Sequence, residues 1–121
     1  MAQGEVRASH ILLKHRNSRR LASWKDEQGV EIRKRSPEDA AAVLEGFLAQ
    51  IQAAADPAAE FANIAKAHSD CSSARAGGDL GAFGRGAMQK PFEDATYALK
   101  IGEMSEAVET DSGVHVILRT G

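Results

Sequence analysis

The chain is expected to fold as an α+β domain, and three observations carry that expectation. Both ends read as strands. Glu5 to Lys14 is apolar and β-branched enough to sit in a sheet, and Val114 to Arg119 alternates Val114, Val116 and Leu118 with His115 and Ile117. The middle reads as helix, opened twice by the same kind of signal, Ser36-Pro37-Glu38-Asp39 and Asp56-Pro57. A glycine-rich stretch follows these two helices and precedes one more short helix and the final strands.

Taken in order, the first strand places Val6, Ala8, His10, Leu12 and Lys14 on one face. The twenty or so residues that follow have no period, with a turn at Gln28-Gly29 and a short strand expected over Val30 to Arg33. Ser36 is the N-cap of a helix and Pro37 its first residue. Ala40, Val43, Leu44, Phe47, Leu48 and Ile51 then recur at three- and four-residue steps, an amphipathic face directed at a core. The second helix turns Phe61, Ile64 and Ala65 inward and ends near His68. Ser72 to Arg75 forms a helical turn that Gly77-Gly78 breaks, and Gly81, Gly84 and Gly86 leave only brief strand character around Leu80 to Phe83. Lys90-Pro91 opens a short helix through about Leu99, and Gly102 ends that region. Ala107 to Thr110 and Val114 to Arg119 pair as a hairpin around Asp111-Ser112-Gly113, which carries turn chemistry. There is no internal repeat or low-complexity tract, so residues 1–121 are expected to form a single domain.

With 43% hydrophobic and 26% charged residues, the chain has the composition of an ordinary globular protein. No apolar run approaches the roughly 18 residues that span a membrane. Met1-Ala-Gln-Gly-Glu5 lacks the basic region and apolar stretch of a secretory signal. The single cysteine cannot form an internal disulfide. A cytoplasmic or nuclear monomer without membrane association is therefore expected. Charge is uneven. Lys14 to Arg35 holds eight Lys/Arg against three Asp/Glu, a net of +5, so the remainder carries −7 of the overall −2. Such an island is either a solvated loop or the contact for an anionic partner. The acidic body and only 5% aromatics argue against nucleic acid.

The chemistry concentrates in one stretch from His68 to Ala95, which joins a thiol (Cys71), a glycine-rich turn and three spaced apolar residues, Leu80, Met88 and Phe92. Beside histidines, Cys71 invites reading as an activated nucleophile. His10 and His115, each in an apolar strand, are ordinary core histidines when taken separately. His68-x-x-Cys71 has metal-ligand spacing, but one cysteine and no second close pair argue against a metal, and none is expected. Arg19 and Arg20 offer forked donors suited to a phosphate. Lys14 lies four residues from His10 on the same strand face, roughly 13 Å away.

The stretch from His68 to Ala95 resembles the central motif of the parvulin peptidyl-prolyl cis/trans isomerases, in the version of their phosphoserine/phosphothreonine-directed branch. Thr110-Asp-Ser-Gly-Val-His-Val-Ile-Leu-Arg-Thr120 supports it independently, as does His15-Arg-Asn-Ser-Arg19-Arg20 followed by Trp24. The resemblance runs from about Val6 to Thr120. It implies the parvulin (FKBP-like) fold, a four-stranded antiparallel sheet wrapped by about four helices with the terminal strands side by side at its centre. His10 and His115 would then be neighbours, stacked and sharing a proton, held by the hydroxyl of Thr110 or Ser112. Leu80, Met88 and Phe92 would grip the proline, Gln89 would bond the substrate backbone, and Lys14, Arg19 and Arg20 would clamp a phosphate on the residue before it. Trp24 would pack the basic loop rather than touch ligand. Partners would be proteins phosphorylated at Ser/Thr-Pro, and no cofactor would be needed. Two departures stand out: no N-terminal WW module, and a Lys25 to Arg35 segment longer than in animal and fungal relatives, as in the single-domain plant-type form.

The implied reaction bears on Cys71. The uncatalysed barrier is about 18–20 kcal/mol, and the free reaction takes tens to hundreds of seconds. Reaching on the order of 10 s⁻¹ needs a factor of roughly 10³, only about 4 kcal/mol. Desolvating the amide and favouring its twisted form can supply that, so Cys71 is expected to shape polarity near the carbonyl without covalent chemistry. Two rivals stay open at this point: a phosphopeptide-binding module with little turnover, and a Cys-His hydrolase.

Overall fold

The structure is a computed structural model that describes residues 4–121. The first three residues, on which part of the N-terminal reading rests, lie outside the described residues. In chain order the elements are β1 (Glu5–Leu13), α1 (Val30–Lys34), α2 (Pro37–Ala53), α3 (Pro57–His68), a 3-10 turn (Ser72–Ala76), β2 (Asp79–Gly84), α4 (Lys90–Ala98), β3 (Val108–Thr110) and β4 (Gly113–Arg119). The four strands form one antiparallel sheet in the order β2-β1-β4-β3. The strands from the two ends of the chain thus lie side by side at its centre, as the resemblance implies.

Register decides which residues meet. His10 pairs with Ile117 and Leu12 with His115. Residues directly opposite each other share a face, so His10, Leu12, His115 and Ile117 all project from the same side. The other side carries Ile11, Leu13, Val114 and Val116, which pack against Leu44 and Ile51 of α2 and Phe61, Ile64 and Ala65 of α3. On the histidine side a second core joins Val6, Ala8 and Ile117 to Phe83 and Phe92. The sheet is therefore covered on both faces, and the histidines stand at the edge of the smaller core.

The helix signals act as the sequence predicts. Ser36 Oγ accepts from Asp39 N at 3.0 Å while Asp39 Oδ2 accepts from Ser36 N at 3.3 Å, a reciprocal cap at the start of α2. Asp56 caps α3 through Ala59 N at 3.2 Å. Val43 departs from the expected buried face: it is 44% exposed. Leu44 takes the position over the sheet, and Val43 falls on the flank of the stripe, where one residue of rotation brings it into solvent.

The strand expected over Val30 to Arg33 is instead the short helix α1. The β-branched Val30 and Ile32 suggest a strand, but a cap overrides them. The Asp26 carboxylate accepts the backbone N–H groups of Val30, Glu31 and Ile32 at 2.9, 3.0 and 3.0 Å. Those are donors that only a helix start leaves pointing one way. Gly29, with φ 69°, makes the turn into it, and Ile32 is buried beneath.

Candidate active site

After α3 the chain runs back along β1. Ser69 Oγ accepts from Leu12 N at 3.0 Å, Asp70 N donates to Leu12 O at 2.7 Å, and Asp70 Oδ2 accepts from Lys14 N at 2.9 Å. This segment extends the sheet's hydrogen bonding past the end of β2 and sets Cys71 beside Leu12. Further on, Gly78 crosses β1 at His10, whose N–H it accepts at 2.9 Å. With φ 90° and the carbonyl oxygen of His10 where a Cβ would stand, only glycine fits there.

The two histidines meet as expected. Their rings stack with centroids 5.2 Å apart, and the two Nδ1 atoms lie 3.0 Å apart, so one proton sits between them. His115 Nε2 is 2.7 Å from Thr110 Oγ1, which also accepts from Ser112 N at 3.1 Å. Phe92 stands edge-on to both rings, with centroids at 5.5 and 5.1 Å. Both histidines are only 4% exposed. Burial pushes His10 down to about 4, and burial together with the charge of His10 pushes His115 down to about 3, so both imidazoles are neutral at physiological pH. Thr110, not Ser112, is the hydroxyl that holds the pair.

A slot of about 190 Å³ opens over this floor. Its lining gathers His10, His115, Thr110, Ser112 and Cys71 with Leu80, Met88, Gln89 and Phe92. Leu80 and Met88 come from the glycine-rich segment and Phe92 from the first turn of α4. Gln89 lines the slot and is held in place by the chain itself. Its side chain donates to Ser112 Oγ at 2.9 Å and accepts from Asp111 N at 3.0 Å, so it ties the slot's wall to the β3–β4 turn. Half-buried Cys71 has no hydrogen bond from its thiol to either histidine among the described residues.

The basic loop forms a second, larger cleft of about 600 Å³ next to the slot. Leu12, Cys71 and Ser112 line both. Lys14 and Arg20 reach this cleft. Lys14 is largely buried, and its ammonium donates to Ala22 O at 2.6 Å. Burial, then Arg20, lowers its pKa, against the opposing pull of Asp70 and Cys71. Arg19 is exposed and does not line the cleft; its backbone N–H donates to Asp111 O at 2.7 Å. Trp24 packs the loop and also lines the cleft: it donates Nε1–H to Ser69 O at 2.8 Å yet is 49% exposed. Asp70, Glu27, Ser23, Ala22 and Ser72 also line it, so the cleft carries two carboxylates beside its cations; Asp70 and Ser23 do not stand out in sequence because their roles depend on contacts across the fold. His68 stacks on Phe47 with centroids 4.9 Å apart, and no group of three metal-ligating side chains occurs among the described residues.

An apolar slot floored by neutral paired histidines, on a sheet whose terminal strands are central, is the site of a parvulin-type fold. The family model for the rotamase, PPIC-type PPIase domain, matches residues 10–121. The peptidyl-prolyl cis-trans isomerase Pin1 of Digitalis lanata is 55% identical over 121 residues, covering 100% of both chains. The protein of the same name from Arabidopsis thaliana is 54% identical over 119 residues, covering 98% of each. Among solved structures, the peptidyl-prolyl isomerase ESS1 of Candida albicans superposes with a TM-score of 0.87 at 41% identity, covering 100% of this chain and 65% of that one. The solution structure of TbPIN1 gives 0.84 at 40% identity, covering 98% and 99%. The chain belongs to the PPIC-type (parvulin) family and is a peptidyl-prolyl cis-trans isomerase.

Proposed function

We propose that this isomerase acts on phosphoserine- and phosphothreonine-proline bonds, by non-covalent stabilisation of the twisted amide within one domain. The observation that carries this is the continuity of the apolar slot with the basic cleft, which share Leu12, Cys71 and Ser112. A proline ring gripped by Leu80, Met88 and Phe92 would direct the residue before it toward Lys14 and Arg20, with Arg19 at the rim. A phosphate there gains charge-assisted hydrogen bonds. The substrates are accordingly phosphorylated Ser/Thr-Pro proteins, with the site acting in a monomer and without a cofactor.

The mechanism follows from the slot's polarity. Twisting the amide breaks its resonance and reduces charge on oxygen, so a desolvated slot favours the twisted over the planar state. Neutral His10 and His115, locked to each other and to Thr110, form a rigid polar floor. Both Nδ1 atoms and His115 Nε2 are engaged, and the one remaining ring nitrogen, His10 Nε2, is buried without a partner and makes no bond to the Cys71 thiol among the described residues. Cys71 contributes a soft, weakly polar wall near the carbonyl, and Gln89 and Ser112 hold the opposite wall.

Exchange NMR on paired pSer-Pro and Ser-Pro peptides tests this. Cis-trans exchange on the phosphorylated peptide should be faster by about tenfold or more, the worth of one hydrogen bond to a charged group. Equal exchange on both peptides overturns the phosphate specificity, and binding without exchange overturns turnover on this substrate.

A further inference from the structure

The loop that carries Arg19 and Arg20 is closed at both ends by one buried carboxylate. Asp70 Oδ2 accepts from Lys14 N at 2.9 Å, and Asp70 Oδ1 accepts from Ser23 Oγ at 2.9 Å. Lys14 and Ser23 are the two ends of the loop, so Asp70 fixes how far apart they stand. Arg35 braces this closure from outside. Its Nη1 donates to Lys14 O at 2.8 Å and lies 3.3 Å from Asp70 Oδ2, while its own carbonyl accepts from Arg16 N at 2.8 Å. Arg35 therefore holds the loop backbone at two points and offsets the carboxylate's charge. Its own place is set by α1, whose C-cap it is and which Asp26 starts. The longer Lys25 to Arg35 segment thus has a definite attachment: it ends on the brace.

We propose that Arg35, acting through Asp70, is a positioning residue for the phosphate-binding loop and sets how well the site discriminates a phosphorylated residue before proline from an uncharged or singly charged one. Arg35 does not line the cleft. It acts by holding Lys14, whose backbone it grips on the carbonyl side while Asp70 grips the amide side. This rests on the phosphate reading above.

A bonded Arg35 stabilises the bound-state loop before substrate arrives, so its loss should raise KM for the phosphorylated substrate and spare kcat. At 23% side-chain exposure it can be truncated without opening the core. Arg35→Ala and Arg35→Lys are compared with the wild type on pSer-Pro and Glu-Pro peptides of the same sequence. For Arg35→Ala, KM on the phosphopeptide should rise about tenfold with kcat changed less than about twofold, while Glu-Pro turnover stays within about twofold, which also reports an intact fold. Arg35→Lys keeps the charge beside Asp70 but cannot span both acceptors, and should recover only part of the loss. An equal loss on both peptides, or none on either, overturns the inference. The Arg19→Ala/Arg20→Ala double variant runs in the same assay. If it leaves the phosphopeptide KM unchanged, the phosphate reading and this inference fall together. If it raises that KM while Arg35→Ala does not, the positioning inference alone fails.

Discussion

Thr110 does two things with one oxygen: it bonds His115 Nε2 and accepts from Ser112 N. Thr110→Val keeps the shape and removes both bonds, leaving a buried imidazole nitrogen and an amide unpaired. It should cost about 1–3 kcal/mol of stability in urea titration and slow exchange on any Xaa-Pro peptide. Thr110→Ser should restore most of both, and a neutral Thr110→Val would remove the hydroxyl from the site. Cys71→Asp addresses the wall instead. A non-covalent mechanism predicts retained isomerase activity, whereas a required nucleophile predicts complete loss. At this scale the motif residues were legible, because residue type carries the chemistry of a thiol, an imidazole or a guanidinium. Asp70 was not, since its importance lies in Lys14 N and Ser23 Oγ, which the folded chain brings to it.

Among the elements, α1 shows how local chemistry outside a segment decides its conformation. Val30 and Ile32 favour a strand by propensity, but three backbone donors gathered on the Asp26 carboxylate make a helix. Gly29 is the hinge of that start: it has φ 69°, and a Cβ there would run into Leu21 O. Gly29→Ala should destabilise the protein by about 1 kcal/mol or more. Because Arg35 caps the end of α1, the same change should also raise KM for phosphorylated over Glu-Pro peptides. A Gly29→Ala variant with unchanged melting and unchanged KM would mean that α1 is not a support of the loop. The capped helices α2 and α3, by contrast, follow their start signals, since a Ser or Asp cap with proline behind it is complete within four residues of chain.

For the whole molecule, the buried histidine pair couples folding to pH. Both imidazoles titrate below the ordinary value, at about 4 and about 3. As the pH drops below about 6.5, the unfolded chain takes up protons that the folded one excludes. Their contribution is complete above that pH and declines toward 4 and then 3, by about 1.4 kcal/mol per pH unit for each histidine. Asp26 and Asp79, held below the usual carboxylate range by backbone donors and by Arg7 respectively, stay ionised through the window above pH 5. Urea midpoints should therefore fall between about pH 7 and about pH 5, by the equivalent of about 2 kcal/mol or more. A flat profile over that interval would show that the pair is not held neutral.

That coupling exists because two histidines 105 positions apart are buried against each other. The amino-acid order sufficed for the α+β class, the capped helices and the alternating strands, since each depends on neighbours within a few positions, while the slot's residues were marked out by the resemblance of the His68 to Ala95 stretch to the parvulin motif. It left undecided the conformation of 30–34, the attachment of Gln89, which arginine reaches the cleft and what closes the basic loop. Those are set by antiparallel register and by side chains that reach across the sheet. A shift of one residue in the β1–β4 pairing would turn His10 away from His115 while leaving every local signal in the chain unchanged.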